Sequence, residues 1–214
     1  MNRHELNRSA VITDEAALRA LIGEPAELVK KKIASSLNAL TRQFIALSPF
    51  LCLSTADAQG RCDVSPRGDP PGFVRVLDDA TLLIPERPGN KLADSLRNIL
   101  SNPRVGVLFV IPGVGETLRV NGRATLTTDT NLLAPCAVEG RPPKLGIFVE
   151  IEEAYTQCPK AFIRSELWNA EHFVERAQLP SLGEILALQC GAEVDAKKYD
   201  AERAERYARR EGFY

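Results

Sequence analysis

The stretch "TLRVNGRATLTT", Thr117 to Thr128, alternates without a break. Leu118, Val120, Gly122, Ala124 and Leu126 fall on one side, and Arg119, Asn121, Arg123, Thr125 and Thr127 on the other. A period of two belongs to a strand with one covered face and one polar face, because a helix would scatter those apolar residues around its axis. The chain must therefore build a sheet, and the rest of its middle agrees. "FLCLSTA" and "RCDVSP" flank "DAQG", a hairpin in which Gly60 supplies a positive φ. "FVRVL" and "TLLIP" flank "DDA" as a second hairpin. "RVGVLFVIP" is apolar on both faces, as expected of a strand covered on both sides, and "KLGIFVEIEEAY" supplies one more strand.

Helical signals lie outside and between these strands. "TDEAALRALIG" has Thr13 as N-cap and Gly23 as its end, "PAELVKKKIASSL" starts with Pro25 at a favoured first-turn position, and "NALTRQFIALSP" stops at Pro49. "NKLADSLRNILSNP" places Leu92, Leu96, Ile99 and Leu100 on one stripe, and "DTNLLAPCAVEG" is a weaker helix. After Cys158 the chain reads as helical to the end, with Glu202/Arg206 and Glu205/Arg209 as i,i+4 pairs. Short strands with regular turns predict a small antiparallel barrel rather than a parallel α/β sheet. The expected organisation is a single domain over 1–214: a helical lead-in at 1–48, a mainly β barrel core at 49–157, and C-terminal helices at 158–214.

Composition narrows the function. A net charge of −1 gives no reason to expect nucleic acid, so any positive site must be local. Five cysteines without a CxxC pair argue for reduced thiols in a cytoplasmic protein, and with only His4 and His172 they argue against a zinc site or a histidine-dependent triad. No apolar segment suggests a signal peptide or a membrane span.

Four places could carry chemistry. In "PERPGNKLADSL" a strand ends, a Pro-Gly turn follows, and Asn90 is expected to cap a helix that starts with Lys91. A helix N-terminus with Arg87 and Lys91 beside it favours a phosphate, although a capped helix with two solvated cations is the plainer reading. In "DVSPRGDPPGFVRV" alternation puts Asp63, Ser65 and Arg67 on one face, and Gly68 lets a ligand approach closely. A local Arg67–Asp69 ion pair is the competing account there. Arg119 and Arg123 repel each other on their face unless they meet an acid or an anion. In "QCPKAFIRSELW", Lys160 and Arg164 sit one helical turn apart near Trp168, which is either a structural ring or one that stacks on a ligand. Separate basic elements after barrel strands favour a phosphorylated cofactor over a hydrolase or a metal enzyme.

The succession from "CDVSPRGDPPGFVRV" through "LLIPERPGNKLADSLRNILSNP" to "LRVNGRATLTTD" resembles the FMN-binding split-barrel family, and within it the pyridoxamine 5′-phosphate oxidase-like group. The likeness spans about residues 45–168, with "CPKAFIRSELW" as a further motif, and is to a subgroup of FMN-dependent enzymes whose substrate is unassigned. It implies an antiparallel split β-barrel, a homodimer with FMN at the subunit interface, and an oxidoreductase acting on a small organic molecule. Carried over by motif, Ser65, Arg67 and Gly68 lie along the flavin, with Arg67 on its phosphate. Pro85 lies near the isoalloxazine ring, and Arg87, Asn90 and Lys91 hold the phosphate. Thr117 and Arg119 come from the second subunit, and Arg164 and Trp168 lie near cofactor or substrate. The Arg-containing motif that closes the vitamin-forming enzymes has no counterpart in "ARREGFY", so the resemblance leaves the substrate open. It implies no catalytic acid or base. A deazaflavin in place of FMN, or a protein that binds flavin or heme without turnover, are the alternatives.

Overall fold

The computed structural model describes residues 4–214 in two compact units, the first ending at Ile33 and the second running from Ala34 to Tyr214. In the first unit, α1 (Glu15–Ile22) is capped by Asp14 rather than Thr13, because the Asp14 carboxylate accepts from the Ala17 N–H at 2.8 Å. A carboxylate there also complements the helix dipole. α1 ends at Gly23, whose φ of 77° suits glycine. α2 (Glu27–Lys31) is shorter than its sequence pattern predicts. Ala34, where the second unit begins, forms an antiparallel bridge with Ala154 of that same unit.

The second unit opens with α3 (Ala39–Leu47), closed at its start by a capping box between Asn38 and Thr41. The strands are β1 (Phe50–Ala56), β2 (Cys62–Gly68), β3 (Arg75–Val76) and β4 (Thr81–Pro85), then β5 (Arg104–Val110), β6 (Thr117–Thr127) and β7 (Gly146–Gln157). α4 (Asp94–Ser101) lies between β4 and β5, and α5 (Thr130–Leu133) between β6 and β7. α6 (Lys160–Ser165), α7 (Leu182–Cys190) and α8 (Ala196–Ala208) follow. No helix among the described residues is long and apolar enough to cross a membrane.

The strands form one seven-stranded sheet in the order β2-β1-β5-β6-β7-β4-β3, with every pairing antiparallel. Both expected hairpins are present, and Gly60 has the expected positive φ of 78°. The sheet coils around a core that includes Leu51, Leu53, Val107, Phe109, Leu118, Val120, Ile147 and Val149. It does not close by hydrogen bonds, since β2 and β3 are its two edges. This is the split antiparallel barrel that the sequence implies.

The alternation of β6 is realised, with Leu118, Val120, Gly122 and Ala124 all buried. Its register against β7 slips between Asn121 and Gly122. A Cβ at Gly122 would lie 2.0 Å from the carbonyl oxygen of Glu150, so this close crossing admits only glycine. The polar face of β6 finds partners on β7. Asn121 donates to Glu153 at 2.8 Å, and Arg119 donates to the Tyr155 hydroxyl at 2.9 Å and to Gln157 at 3.2 Å. Arg119 therefore meets neutral acceptors rather than an acid, and the carboxylate of Glu153 goes to Asn121.

α4 begins at Asp94, three residues later than the motif predicts. The Asn90 side chain accepts from the Leu92 N–H at 3.0 Å in a local turn, and does not cap the helix. Lys91 and Ala93 then adopt left-handed φ values of 64° and 58°, which no α-helix includes. The helix buries Ser95 and Ile99 and half-buries Leu96, while Leu92 and Leu100 are exposed. The expected apolar stripe is therefore rotated, and Ser95 takes part in it because its hydroxyl donates to Asp63 at 2.8 Å.

Candidate functional site

The opening of the barrel is where its chemistry collects. β2 is one edge of the sheet, and β4 lies next to the other. A cleft of about 620 Å³ runs along this seam, walled by β2, by the turn from Pro85 to Ala93 and by the start of α4. That volume is in the range of small-molecule and cofactor sites. Of the predicted residues, Ser65, Arg67, Gly68, Pro85, Arg87, Asn90 and Lys91 all line it. Asp63, Ser65 and Arg67 are the half-buried positions of β2 and the residues between them are exposed, so the alternation does set them on one face.

Two ion pairs cross the seam. Arg67 Nη1 donates to Glu86, and Arg87 Nε donates to Asp69 Oδ2 at 2.7 Å. The local Arg67–Asp69 pair is not formed. Each arginine reaches the acid on the opposite wall, which fastens together edges that no backbone hydrogen bond joins.

The two pairs differ in completeness. Asp69 is only 2% exposed in its side chain, and it also accepts from the Tyr214 hydroxyl at 2.7 Å. Arg87 Nη2 donates to the Cys136 carbonyl at 2.9 Å, and the guanidinium lies 5.3 Å from the centre of the Tyr214 ring. Arg87 is thus held mainly by protein groups. Arg67, in contrast, keeps a buried Nε without any hydrogen-bond partner. A buried donor left unpaired is costly, and here it belongs to a residue that lines the cleft.

Further donors face the same space. Ala93 gives α4 no side-chain cap, so its first N–H groups lack a side-chain acceptor beside the cleft. Lys91 lines the cleft in a left-handed conformation, an outlier of the kind that gathers at ligand sites. Phe73, Pro85, Leu92 and Leu96 supply apolar surface.

Titration bears on the surrounding frame. The Asp69 hydrogen bond holds the Tyr214 phenol above its ordinary pKa, with burial adding to the effect. Burial likewise pushes the Cys136 thiol up, against the opposing pull of Arg75 and Arg87.

The remaining predicted residues stand outside the cleft. Thr117 is buried at the start of β6, and Arg119 is engaged with β7. Trp168 packs against Phe162 at 5.7 Å between ring centres, and its indole N–H donates to the Val114 carbonyl at 2.9 Å. Arg164 is exposed in the last turn of α6. Sequence reasoning missed Glu86 and Tyr214. Glu86 had a readable signal, an acid set between the end of β4 and the basic turn, whereas Tyr214 reaches the seam only through the tertiary fold. Among the described residues no cluster of His, Cys, Asp and Glu is disposed to hold a metal ion.

The family model described as pyridoxamine 5′-phosphate oxidase matches residues 37–158. No curated protein matches the sequence. Among solved structures, HupZ of Group A Streptococcus is 18% identical, with a TM-score of 0.46 over 56% of this chain and 93% of that one. General stress protein 26 from Bacillus anthracis is 16% identical, with a TM-score of 0.42 over 54% and 88%. HutZ, the heme storage protein from Vibrio cholerae, is 18% identical, with a TM-score of 0.39 over 56% and 93%. The family match runs from the entry to α3 through the end of β7 and takes in both walls of the cleft, and the chain belongs to the pyridoxamine 5′-phosphate oxidase family.

Proposed function

We propose that the seam cleft binds FMN and that the protein is an FMN-dependent oxidoreductase acting on a small organic substrate. The observation that carries this reading is the unpartnered, buried Arg67 Nε in a cleft that also holds Lys91 and the uncapped start of α4. These donors suit a phosphate monoester, which accepts several charge-assisted hydrogen bonds at once. Arg67 and Lys91 hold the phosphate, and Ser65 and Gly68 border the ligand along β2. Phe73, Pro85 and Leu96 cover apolar ring surface and exclude water from it. Arg87 braces the wall rather than serving as a main phosphate ligand, because Asp69 and the Cys136 carbonyl already engage it. FMN supplies hydride or electron transfer when bound, and the protein orients it.

We further propose a cytoplasmic homodimer in which Thr117 and Arg119 reach the cofactor of the second subunit, with Arg164 and Trp168 near the substrate. A deazaflavin would use the same phosphate donors, and the mass of the extracted chromophore separates the two. Heme is disfavoured because the cleft lining contains no histidine, cysteine, methionine or tyrosine to serve as an axial ligand. The test is the visible spectrum and extracted mass of the purified protein, followed by titration with FMN. Protein that neither carries a flavin nor takes up FMN overturns the proposal.

A further inference from the structure

The two seam pairs invite comparison, because they have the same charges and the same span but not the same surroundings. Asp69–Arg87 is a closed network: the carboxylate accepts from Arg87 and Tyr214, and the guanidinium also reaches the Cys136 carbonyl. Arg67–Glu86 is open. Its side chains are 16% and 21% exposed, against 2% for Asp69, and Arg67 retains an unpaired Nε. The Glu86 backbone is fixed, since its N–H donates to the Leu145 carbonyl at 2.9 Å, but no second side chain is seen to hold its carboxylate. Glu86 can therefore turn toward solvent without moving the wall.

The cleft as it stands is balanced in charge. Its lining carries Arg67, Arg87 and Lys91 against Asp63, Glu86 and Asp94. Of the acids, Asp63 accepts from Ser95, and Asp94 lies near Arg97 at 3.9 Å on the exposed start of α4. Only Glu86 sits on the arginine that an entering phosphate would use. A phosphate that takes Arg67 with Glu86 still in place meets the repulsion of a second anion on the same guanidinium.

We infer that Glu86 is a built-in competitor for the anion, an internal carboxylate that occupies Arg67 until a phosphorylated ligand displaces it. The inference rests on the FMN reading for the identity of the ligand, but not for the competition itself. Glu86 thereby makes the cleft discriminate by ligand charge. A dianionic phosphate repays the loss of the ion pair through Arg67, Lys91 and the start of α4 together, whereas a ligand without a phosphate never contests it.

The experiment compares wild type with Glu86→Gln by calorimetric titration against FMN, riboflavin and inorganic phosphate. Glutamine keeps the size and one acceptor but removes the charge. FMN and inorganic phosphate should each bind about tenfold more tightly to the variant, with riboflavin changed by less than about twofold. Equal or weaker FMN and phosphate binding overturns the inference, and so does riboflavin tightening as much as FMN. Glu86→Ala is the second variant, with the same expectation. If neither variant folds, the pair is structural rather than releasable and the inference fails. If wild type takes up no FMN, the cofactor reading fails and the inorganic phosphate arm still decides the role of Glu86. Absence of phosphate binding in both wild type and variants overturns it.

Discussion

The Tyr214 hydroxyl donates a 2.7 Å hydrogen bond to Asp69 Oδ1, joining residues 145 apart in sequence, while Asp69 Oδ2 accepts from Arg87 at 2.7 Å. One carboxylate therefore ties the last residues of the sequence to both walls of the cleft. Asp69, which could be read as a local partner for Arg67, is instead the centre of a latch across the barrel's opening.

Removing the phenol tests the latch. Tyr214→Phe should lower stability by about 1.5 kcal/mol, the lower end for a hydrogen bond to a charged group, as measured by urea denaturation near neutral pH. Tyr214 is an acid with a raised folded pKa. Its contribution is thus fully present below the ordinary tyrosine pKa of about 10 and is lost as pH rises through the folded value. Wild type should lose its advantage over Tyr214→Phe in that alkaline window, and a difference that persists well above it would contradict the assignment.

Asp69 and Arg87 should be strongly interdependent. Asp69→Asn leaves the largely buried Arg87 guanidinium without its counter-charge and should cost about 3 kcal/mol. A double-mutant cycle with Arg87→Gln should give a coupling of about 1.5 kcal/mol or more. Additive effects would mean that the latch is not a unit.

Arg67 and Lys91 should both act on ligand binding. Arg67→Ala and Lys91→Ala should each weaken FMN binding by about 1.5–3 kcal/mol, read by fluorescence quenching of the flavin. Lys91 is exposed, so its loss should leave the thermal midpoint nearly unchanged. A variant that holds FMN as tightly as wild type would remove that residue from the phosphate site.

Gly122 should tolerate no side chain. Gly122→Ala places a Cβ 2.0 Å from the Glu150 carbonyl oxygen and 3.0 Å from its carbon, both backbone atoms that cannot swing aside. The β6–β7 register would have to shift, at a cost of about 3 kcal/mol or more. Soluble, wild-type-like protein with an unchanged denaturation midpoint would show that the crossing is less tight than the structure has it.

Much of this architecture follows from local pattern. Alternation over Thr117–Thr127 specified a strand and its buried face, because side chains of a strand point to opposite sides whatever lies across from them. The same rule put Asp63, Ser65 and Arg67 on one face of β2, and turn chemistry placed Gly60 in its hairpin. The start of α4 is not legible in the sequence because Asn90 has two local uses, as a helix cap or in a turn of its own. The left-handed residues that follow it decide for the turn.

The strands and their inward faces are legible in the order of residues, since they depend on periods of two and on neighbours a few positions away. Which acid each arginine meets is set by the three-dimensional fold. Arg67 reaches Glu86 and Arg87 reaches Asp69 because the sheet coils until β2 approaches the end of β4. Ion pairing depends on distances of a few ångströms between segments that no local pattern relates. The opening of the barrel is thus both where its edges are fastened and where a buried arginine nitrogen has no partner within the protein.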